Sequence, residues 1–512
     1  MSTRNEEKNN QKLFNHQNVR YYIIVILAIV SIIGIYYLIS PVKTFPSDNP
    51  VGKFPPNGIL PGIIPGNTQP PQIGFVPDQY DLWPLWVELS FPAITEILPA
   101  ILVLSASLAF ILHVMRKQRW NVRLFSLVAG GIALIIGTNL IHGWQAGIEA
   151  PIGGPLEIFS DAIKIDNIIS FISNYEYLQS SLSVHAQTQP PGAVTIIYLL
   201  YVVFGTPSLI AISLCIIASF LSAYFIYGIF TRFFDEDLSK YTVFLYLLLP
   251  AVQVYYLANI YAIVASLVLG VIHFYLHPDK KISIIGSLAC FFLGTFISFL
   301  FIYTGLLLFL FEVLRVWYQR KLHQTSIKNE GGFTWVNALM SSFQKLTIIA
   351  TGLAVFYGLV FFISGFNYIN AFLYASNLEN PGGFMLLTNT LQYFITRIQN
   401  VLDILIFFGP ILIVLCYRGL NILKEEAHVD TVASQKYLLV LSAIGALLLL
   451  FLTGTPKKGE TARICLFILP FLLIPVTEYL EKEKPANMEK NILLLVVFGQ
   501  AVVMQLIGTY VW

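Results

Sequence analysis

Long, uninterrupted runs of apolar residues dominate the sequence, and short polar segments separate them. A run of about 20 apolar residues is long enough to cross the hydrocarbon core of a bilayer as a helix. The number of such runs predicts an all-α polytopic membrane protein with about 13 transmembrane helices. The predicted spans lie near residues 22–40, 92–114, 124–142, 209–231, 241–258, 260–277, 283–300, 301–318, 346–365, 401–417, 437–454, 464–480 and 492–510.

The direction of each crossing follows from the basic residues, because Lys and Arg are enriched in cytoplasmic loops. With residues 1–20 as a cytoplasmic tail, all basic clusters fall in the cytoplasm on two conditions. The apolar run 192–204 must stay at the outer surface, and the stretch 282–317, which has no loop-like break, must form two spans. The basic clusters are Arg4–Arg20, Arg116–Arg123, Lys280–Lys281, Arg315–Lys328, Arg418–Lys424 and Lys482–Lys490.

Composition and charge narrow the functional classes. Hydrophobic residues make up 56% of the 512 residues, the mean hydropathy is +0.72, and charged residues make up 11%. That charge density is about half that of ordinary soluble proteins, and a net charge of +2 offers no basic field to nucleic acid. A soluble enzyme, a disordered protein and a nucleic-acid binder are therefore excluded. The four cysteines show no metal or disulfide spacing.

The short outer loop 453–463 carries three cations on the side of the membrane where positive charge is normally depleted. Lys457, Lys458 and Arg463 accompany Glu460 directly before a predicted helix. Arginine offers a planar fork for two oxygens, and a helix N-terminus adds partial positive charge. This late outer loop is therefore a candidate site for a phosphate or pyrophosphate. The alternative is contact with lipid head groups.

The large outer loop 143–207, here the early outer loop, holds the densest group of extracytoplasmic acids. Its isoleucines from 158 to 172 predict an amphipathic helix on the bilayer surface, with Asp161 and Asp166 at its polar rim. Partial desolvation there would raise a carboxyl pKa towards that of a general base. The alternative is that either Asp caps the helix. Glu157, Asp161 and Asp166 could also bind a divalent cation together, because such cations prefer oxygen ligands. Their spacing along the chain does not by itself require a metal site.

Further along the early outer loop, His185 and Gln189 precede Pro190, Pro191 and a glycine. Two prolines followed by glycine predict a turn into a short interfacial helix. The imidazole of His185 is either a proton-transfer group or a structural one.

Two smaller outer segments complete the set of polar candidates. Tyr255 lies in an aromatic turn suited to stacking on a sugar ring or to the aromatic belt of the membrane interface. Asn400 and Asp403 follow the third outer loop, 365–400. Asp403 lies one turn deep, so it is either functional or paired with Arg397.

These segments, in this order, resemble the GT-C glycosyltransferases. More narrowly they resemble the family-39-like group, which includes bacterial relatives of protein O-mannosyltransferases and of the aminoarabinose lipid A transferase. The resemblance covers roughly residues 124–480. Its most specific parts are the stretch from Asp161 to Gly192, which ends in SVHAQTQPPG, and the closing GETARICLFILP.

The resemblance implies a sugar donor carried on a polyprenyl phosphate, and an active site on the outer face of the plasma (inner) membrane. Asp161 maps onto the catalytic carboxylate of the family and would act as general base on the acceptor hydroxyl, with inversion at the anomeric carbon. Arg463, helped by Lys457 or Lys458, would neutralise the leaving phosphate. The acceptor, whether protein, lipid or polysaccharide, stays open.

The resemblance also divides the chain. A GT-C-like catalytic membrane domain occupies residues 124–480. The tail 1–20 and the segment 21–114, with two additional spans joined by a Pro/Gly-rich outer loop, precede it, and residues 481–512 add a C-terminal span. The chain departs from the family at Gln189, where relatives commonly have His before the two prolines.

Two other functional classes compete with a glycosyltransferase. A transporter or flippase of lipid-linked saccharides would need charges along a route within the spans, and the apolar runs show almost none. A non-catalytic scaffold of an envelope polysaccharide complex would use a degenerate version of the fold, to which the Gln189 departure points. Transport driven by an ion gradient would favour the first class, and donor binding without turnover would favour the second.

Overall fold

The computed structural model describes residues 84–85, 87–89, 92, 94–116, 124–154, 156–326 and 335–510. They belong to one compact unit, Trp83–Trp512. The predicted cytoplasmic tail, the first predicted span and nearly all of the Pro/Gly-rich loop lie outside the described residues. The described part therefore contains the predicted catalytic domain with one long helix before it and one after it.

Helices make up nearly all of the described fold, and two short strands join its ends. Strand β1 (Val87–Leu89) pairs antiparallel with β2 (Gly508–Tyr510), a ribbon that the hydropathy pattern did not predict. The helices are α1 (Ile94–Arg116), α2 (Leu124–Asn139), α3 (Ala150–Gly153), α4 (Phe159–Ala162), α5 (Ile168–Ser173), α6 (Tyr175–Leu178), α7 (Val184–Gln187), α8 (Pro191–Phe204), α9 (Pro207–Phe230), α10 (Glu236–Leu247), α11 (Pro250–Tyr255), α12 (Ile260–Tyr275), α13 (Lys280–Ile297), α14 (Ile302–Ser326), α15 (Trp335–Ser364), α16 (Tyr368–Glu379), α17 (Met385–Thr388), α18 (Thr390–Phe408), α19 (Pro410–Glu426), α20 (Thr431–Leu452), α21 (Thr461–Ile464), α22 (Leu469–Glu483) and α23 (Asn487–Ile507).

Among the described residues, seven helices are long and apolar enough to cross a membrane, or eight if one bent pair counts as a span. This supports the all-α polytopic class and does not confirm about 13 spans. Helix α15 shows how the bundle meets lipid, because Phe362 and Ile363 are 88% and 80% exposed. Apolar exposure of this extent along a whole helix is expected where the surrounding solvent is lipid.

Glycine and proline break two of the predicted spans, and a third begins irregularly. Helices α18 and α19 meet at 98° across Gly409, whose φ of +105° lies outside the helical region. The predicted span 401–417 is therefore bent in its middle. The predicted span 241–258 is divided between α10 and α11 at Pro250, and the predicted span 464–480 starts with short helical turns before α22.

The helix boundaries within 282–317 and the length of α8 bear on the two conditions, although neither shows which side of the membrane a loop faces. Helix α13 ends at Ile297, and Ser298 adopts an extended conformation while its hydroxyl accepts a hydrogen bond from the N–H of Leu300 at 3.3 Å. The stretch 282–317 thus forms two helices, as predicted. Helix α8 has 14 residues, a length of about 21 Å, which is short of the roughly 30 Å hydrocarbon core.

Two buried carboxylates, each paired with a cation, correct the expectation that the spans hold almost no charge. Lys436 of α20 pairs with Glu478 of α22, and both side chains are at most 5% exposed. Glu312, which is 1% exposed, pairs with Arg315 within α14 at 2.6 Å. The sequence did not show the first pair because its partners stand 42 residues apart, on two helices that only the fold brings together.

Gly192 closes the Pro-Pro-Gly turn where helix α8 crosses α13. A Cβ atom at this position would lie 2.2 Å from the carbonyl oxygen of Phe296. We expect Gly192→Ala to lower the free energy of unfolding by roughly 1–3 kcal/mol, the usual cost of overpacking, as measured by denaturant unfolding of the detergent-solubilised protein. Gly358→Ala is the matched control, because no atom lies within 4 Å of its added Cβ. Equal stability of the two variants would contradict a tight crossing.

Candidate functional site

The early and late outer loops meet in one small cavity beside the start of α12. Its volume is about 50 Å³, room for one or two water molecules. The loop segments that the sequence singled out for chemistry thus share a site although they are far apart in the chain. The lining residues are Pro151, Ile152, Glu157, Ile158, His185, Gln189, Ile197, Ala258, Asn259, Ile260, Tyr261 and Arg463.

Glu157 and His185 face each other across this cavity. The Nε2 atom of His185 lies 3.6 Å from Oε1 of Glu157, and both side chains are less than a third exposed. Burial raises the pKa of Glu157 from 4.5 to about 7, against the opposing effect of the positive charge on Arg463. Burial, together with Arg463, lowers the pKa of His185 to about 4. Near neutral pH the imidazole is therefore uncharged and the carboxyl group is poised to exchange a proton.

Arg463 supplies the positive charge of the cavity. Its side chain is 9% exposed, and one terminal nitrogen lies 3.4 Å from Oε1 of Glu460, which orients the guanidinium. Lys457 instead pairs with Glu379 of α16 at 2.7 Å. Lys458 is not among the described residues that line the cavity. Of the three cations of the late outer loop, the structure brings Arg463 to the early outer loop.

Asp161 lies one turn beyond Glu157 and is 5% exposed, but it is not among the described residues that line the cavity. Its carboxylate accepts a hydrogen bond from the N–H of Ser183 at 2.7 Å and one from Nζ of Lys164 at 3.4 Å. These contacts tie the first turns of the early outer loop to the segment that carries His185. The carboxylate that meets Arg463 in the cavity is thus that of Glu157.

The predicted amphipathic helix over residues 158–172 is interrupted in the structure. Helix α4 ends at Ala162, α5 begins at Ile168, and Asp166 is exposed in the bend between them. The cap of α5 is Asn167, whose side chain accepts a hydrogen bond from the N–H of Ser170 at 3.0 Å, so neither Asp caps it. In the part of the chain that the structure describes, no three His, Cys, Asp or Glu side chains come together as metal ligands.

Tyr175 organises the segment around His185, and no sequence pattern singled it out. Its buried hydroxyl donates to the carbonyl of Gln189 and lies 3.1 Å from the carbonyl of Ala186. The Gln189 side chain donates in turn to the hydroxyl of Tyr261 at 2.7 Å. The side-chain amide of Gln189 thus anchors the loop to α12. Pro190 is extended and Pro191 begins α8, as the predicted turn requires.

Tyr255 lies inside the protein and not at its surface. It is 3% exposed, and its ring centre lies 4.9 Å from that of Phe407. Both of its predicted roles, stacking on a sugar and the interfacial belt, need an accessible ring. Asn259 and Tyr261, further along the same segment, line the cavity instead.

Arg397 of α18 holds the backbone of the late outer loop. Its guanidinium donates to three carbonyl groups around the turn that precedes Arg463. Arginine is suited to this task because its donors lie in a rigid plane. The acceptors are the carbonyl oxygens of Phe451 at 2.6 Å, Gly454 at 3.4 Å and Pro456 at 2.8 Å.

Asn400 and Asp403, one and two turns further along α18, hold the other end of the same loop. Asn400 accepts a hydrogen bond from the hydroxyl of Thr461 at 3.0 Å, and Asp403 accepts one from the N–H of Ala462 at 2.9 Å. Asp403 is therefore engaged with the loop backbone and not with Arg397. The two residues set the position of the short helix α21, which carries Arg463.

Comparisons with known proteins find distant likenesses. No family model and no curated protein matches the chain. Two solved structures of the Archaeoglobus fulgidus oligosaccharyltransferase, a complex with Zn and sulfate and one tethered with an acceptor peptide containing the NVT sequon, are similar at 12% identity with a TM-score of 0.43. The match covers 75% of this chain and 54% or 56% of that enzyme, so the chain spans about half of its length.

The Arg397 contacts lead to a prediction about the late outer loop. Arg397→Gln leaves carbonyl groups without donors, at a cost of about 1–3 kcal/mol for each buried group. We expect faster amide hydrogen exchange across residues 453–463, measured by mass spectrometry. The control is Lys457→Gln, which also removes one positive charge but breaks only a partly exposed ion pair with Glu379, worth at most about 1 kcal/mol. Amide exchange across residues 453–463 in this variant should stay close to that of the wild type. Unchanged exchange in Arg397→Gln would contradict its role.

Proposed function

We propose that the protein is a membrane glycosyltransferase that moves a sugar from a polyprenyl-phosphate-linked donor to an acceptor hydroxyl or amine at the extracytoplasmic face. The observation that carries the proposal is the meeting of Glu157, His185 and Arg463 in one cavity. A carboxyl group that titrates near neutrality and a guanidinium are the groups that base-assisted displacement of a phosphate requires. The two motifs SVHAQTQPPG and GETARICLFILP, on which the GT-C resemblance rests, contribute His185 and Arg463.

In the proposed reaction the acceptor attacks the anomeric carbon from the side opposite to the phosphate. The bond from that carbon to the acceptor forms while the bond to the phosphate oxygen breaks, so the configuration inverts. The acceptor proton passes to a carboxylate of the protein, and the polyprenyl phosphate leaves with the bonding electron pair. Arg463 stabilises the charge that develops on the leaving phosphate. Because the cavity has a volume of about 50 Å³, too small for a sugar, the proposed reaction requires the site to widen when the donor binds.

Glu157 and Asp161 are the two carboxylates proposed for the role of base. Glu157 lines the cavity, and its pKa of about 7 leaves a large share of it ionised at neutral pH. The GT-C resemblance maps the family's carboxylate onto Asp161, yet the oxygens of Asp161 already accept hydrogen bonds from Ser183 and Lys164. The geometry therefore favours Glu157 as the base and Asp161 as the residue that positions the segment around His185.

Substitution of the two carboxylates separates these roles. We expect Glu157→Gln to lower the release of polyprenyl phosphate by roughly 10²-fold or more, the usual contribution of a general base. Asp161→Asn should lower it less and raise KM. The assay uses the purified protein with polyprenyl-phosphate-linked hexose or pentose.

Glu149→Gln is the matched control, because this carboxylate lies in the same outer loop but is not among the described residues that line the cavity. Its rate should equal that of the wild type. Full release by Glu157→Gln with none by Asp161→Asn would assign the base to Asp161. If both variants release polyprenyl phosphate as fast as the wild type, the transferase site does not lie in this cavity.

The pH dependence of kcat/KM provides a further test. Since burial raises the pKa of Glu157 to about 7, the ionised base accumulates as the pH rises, and the rate should climb about tenfold per pH unit up to a plateau above about pH 7. His185, with a pKa of about 4, stays uncharged across this range. A midpoint near pH 4 would contradict Glu157 as the base.

A further inference from the structure

A second and larger cavity lies at the other end of α12. This helix begins at the first cavity with Ile260 and Tyr261 and ends at the second with Tyr275. Its 16 residues separate the two cavities by about 24 Å. The second cavity has a volume of about 550 Å³, within the range of sites that bind small ligands.

Positive charge dominates this second cavity. Among its described lining residues, Arg232, Arg315 and Lys345 face one carboxylate, that of Glu312, so two positive charges are unbalanced when His277 is counted as neutral. Glu312 pairs with Arg315 at 2.6 Å, which leaves Arg232 and Lys345 without a carboxylate partner among the described residues. Partly buried cations of this kind create a strong preference for an anionic ligand.

Arg232 has the free hydrogen-bonding capacity that such a ligand needs. Its Nε donates to the carbonyl of Gly228 at 3.1 Å, which fixes the plane of the guanidinium. Its two terminal amino groups make no hydrogen bond to any residue that the structure describes. A guanidinium held by Nε, with both terminal groups available, can donate to two oxygens of one phosphate. Lys345, anchored by its 2.8 Å bond to the carbonyl of Tyr275, adds a second cation to the same wall.

The position of the cavity points to a membrane lipid as the molecule that carries the anionic group. It lies between the ends of helices α9, α12 and α20 and beside α14 and α15, and Phe233, Leu276 and Phe311 add apolar surface to its polar groups. A basic cavity between spans, at the level of the head groups, is suited to an anionic lipid, whose chains remain among the helices. The distribution of Lys and Arg predicts that this end faces the cytoplasm.

We propose that the cavity around Arg232 and Lys345 binds the phosphate of an anionic membrane lipid in the leaflet opposite to the transfer cavity. Arg232 donates to two phosphate oxygens and Lys345 contributes charge, while the acyl chains pack on the apolar surface at the end of the spans. The site uses no residue of the proposed transferase cavity, so its test is independent of that proposal.

Lipid binding to the full chain in a neutral detergent, followed by native mass spectrometry, tests the proposal. Phosphatidylglycerol should bind at least tenfold more tightly than phosphatidylcholine. Arg232→Gln should weaken phosphatidylglycerol binding roughly fivefold, the effect of one cation near an anionic head group. Arg232→Lys keeps the positive charge but cannot donate to two oxygens in one plane, so it should weaken phosphatidylglycerol binding less than Arg232→Gln does. This conservative variant also shows whether a loss of binding comes from misfolding. Lys424→Gln, an exposed cation predicted on the same face, should bind as the wild type does.

Two outcomes would overturn the proposal. Equal phosphatidylglycerol binding by the wild type and by Arg232→Gln combined with Lys345→Gln would show that the lipid does not use this cavity. Millimolar inorganic phosphate that binds in an Arg232-dependent manner, with no preference for phosphatidylglycerol over phosphatidylcholine, would assign the site to a soluble phosphate compound instead.

Discussion

Side chains of one helix hold the main chain of the late outer loop, and the candidate site depends on this interaction. Arg397, Asn400 and Asp403 lie on successive turns of α18 and bond backbone groups of the loop, Arg397 and Asn400 near its start and Asp403 near its end. Backbone groups of a loop that is buried against the protein have no water to bond and need partners from the protein itself. The same bonds that satisfy the loop therefore also fix the short helix α21 and deliver Arg463 to the cavity.

In the early outer loop, the side chains that bond the main chain belong to the loop itself. The buried hydroxyl of Tyr175 and the buried carboxylate of Asp161 bond main-chain groups on either side of His185. Gln189 then ties this segment to α12 through Tyr261. The loop is thus a packed structure built on polar side chains, and its burial is what shifts the pKa values of Glu157 and His185.

The two cavities give the ends of the bundle different chemistry. At one end, a carboxyl group that titrates near pH 7 faces an arginine, an arrangement suited to proton transfer beside a departing phosphate. At the other end, Arg232 and Lys345 line a cavity with excess positive charge, which is suited to holding an anion without reaction. Helix α12 connects the two, since it contributes residues to both cavities and is almost entirely buried between them.

Features that depend on neighbouring residues could be predicted from the sequence. The membrane class, the two helices within 282–317, the turn at Pro190 and Pro191 and the cation at Arg463 all follow from local hydropathy, backbone restriction or charge. The tertiary structure decided which carboxylate enters the cavity: the resemblance pointed to Asp161, and the cavity is lined by Glu157, one turn earlier, which the sequence analysis named only as a possible cation ligand. It also decided the bend at Gly409 and the Lys436–Glu478 pair. Burial and pairing depend on residues brought from distant parts of the chain, and no local pattern contains that information.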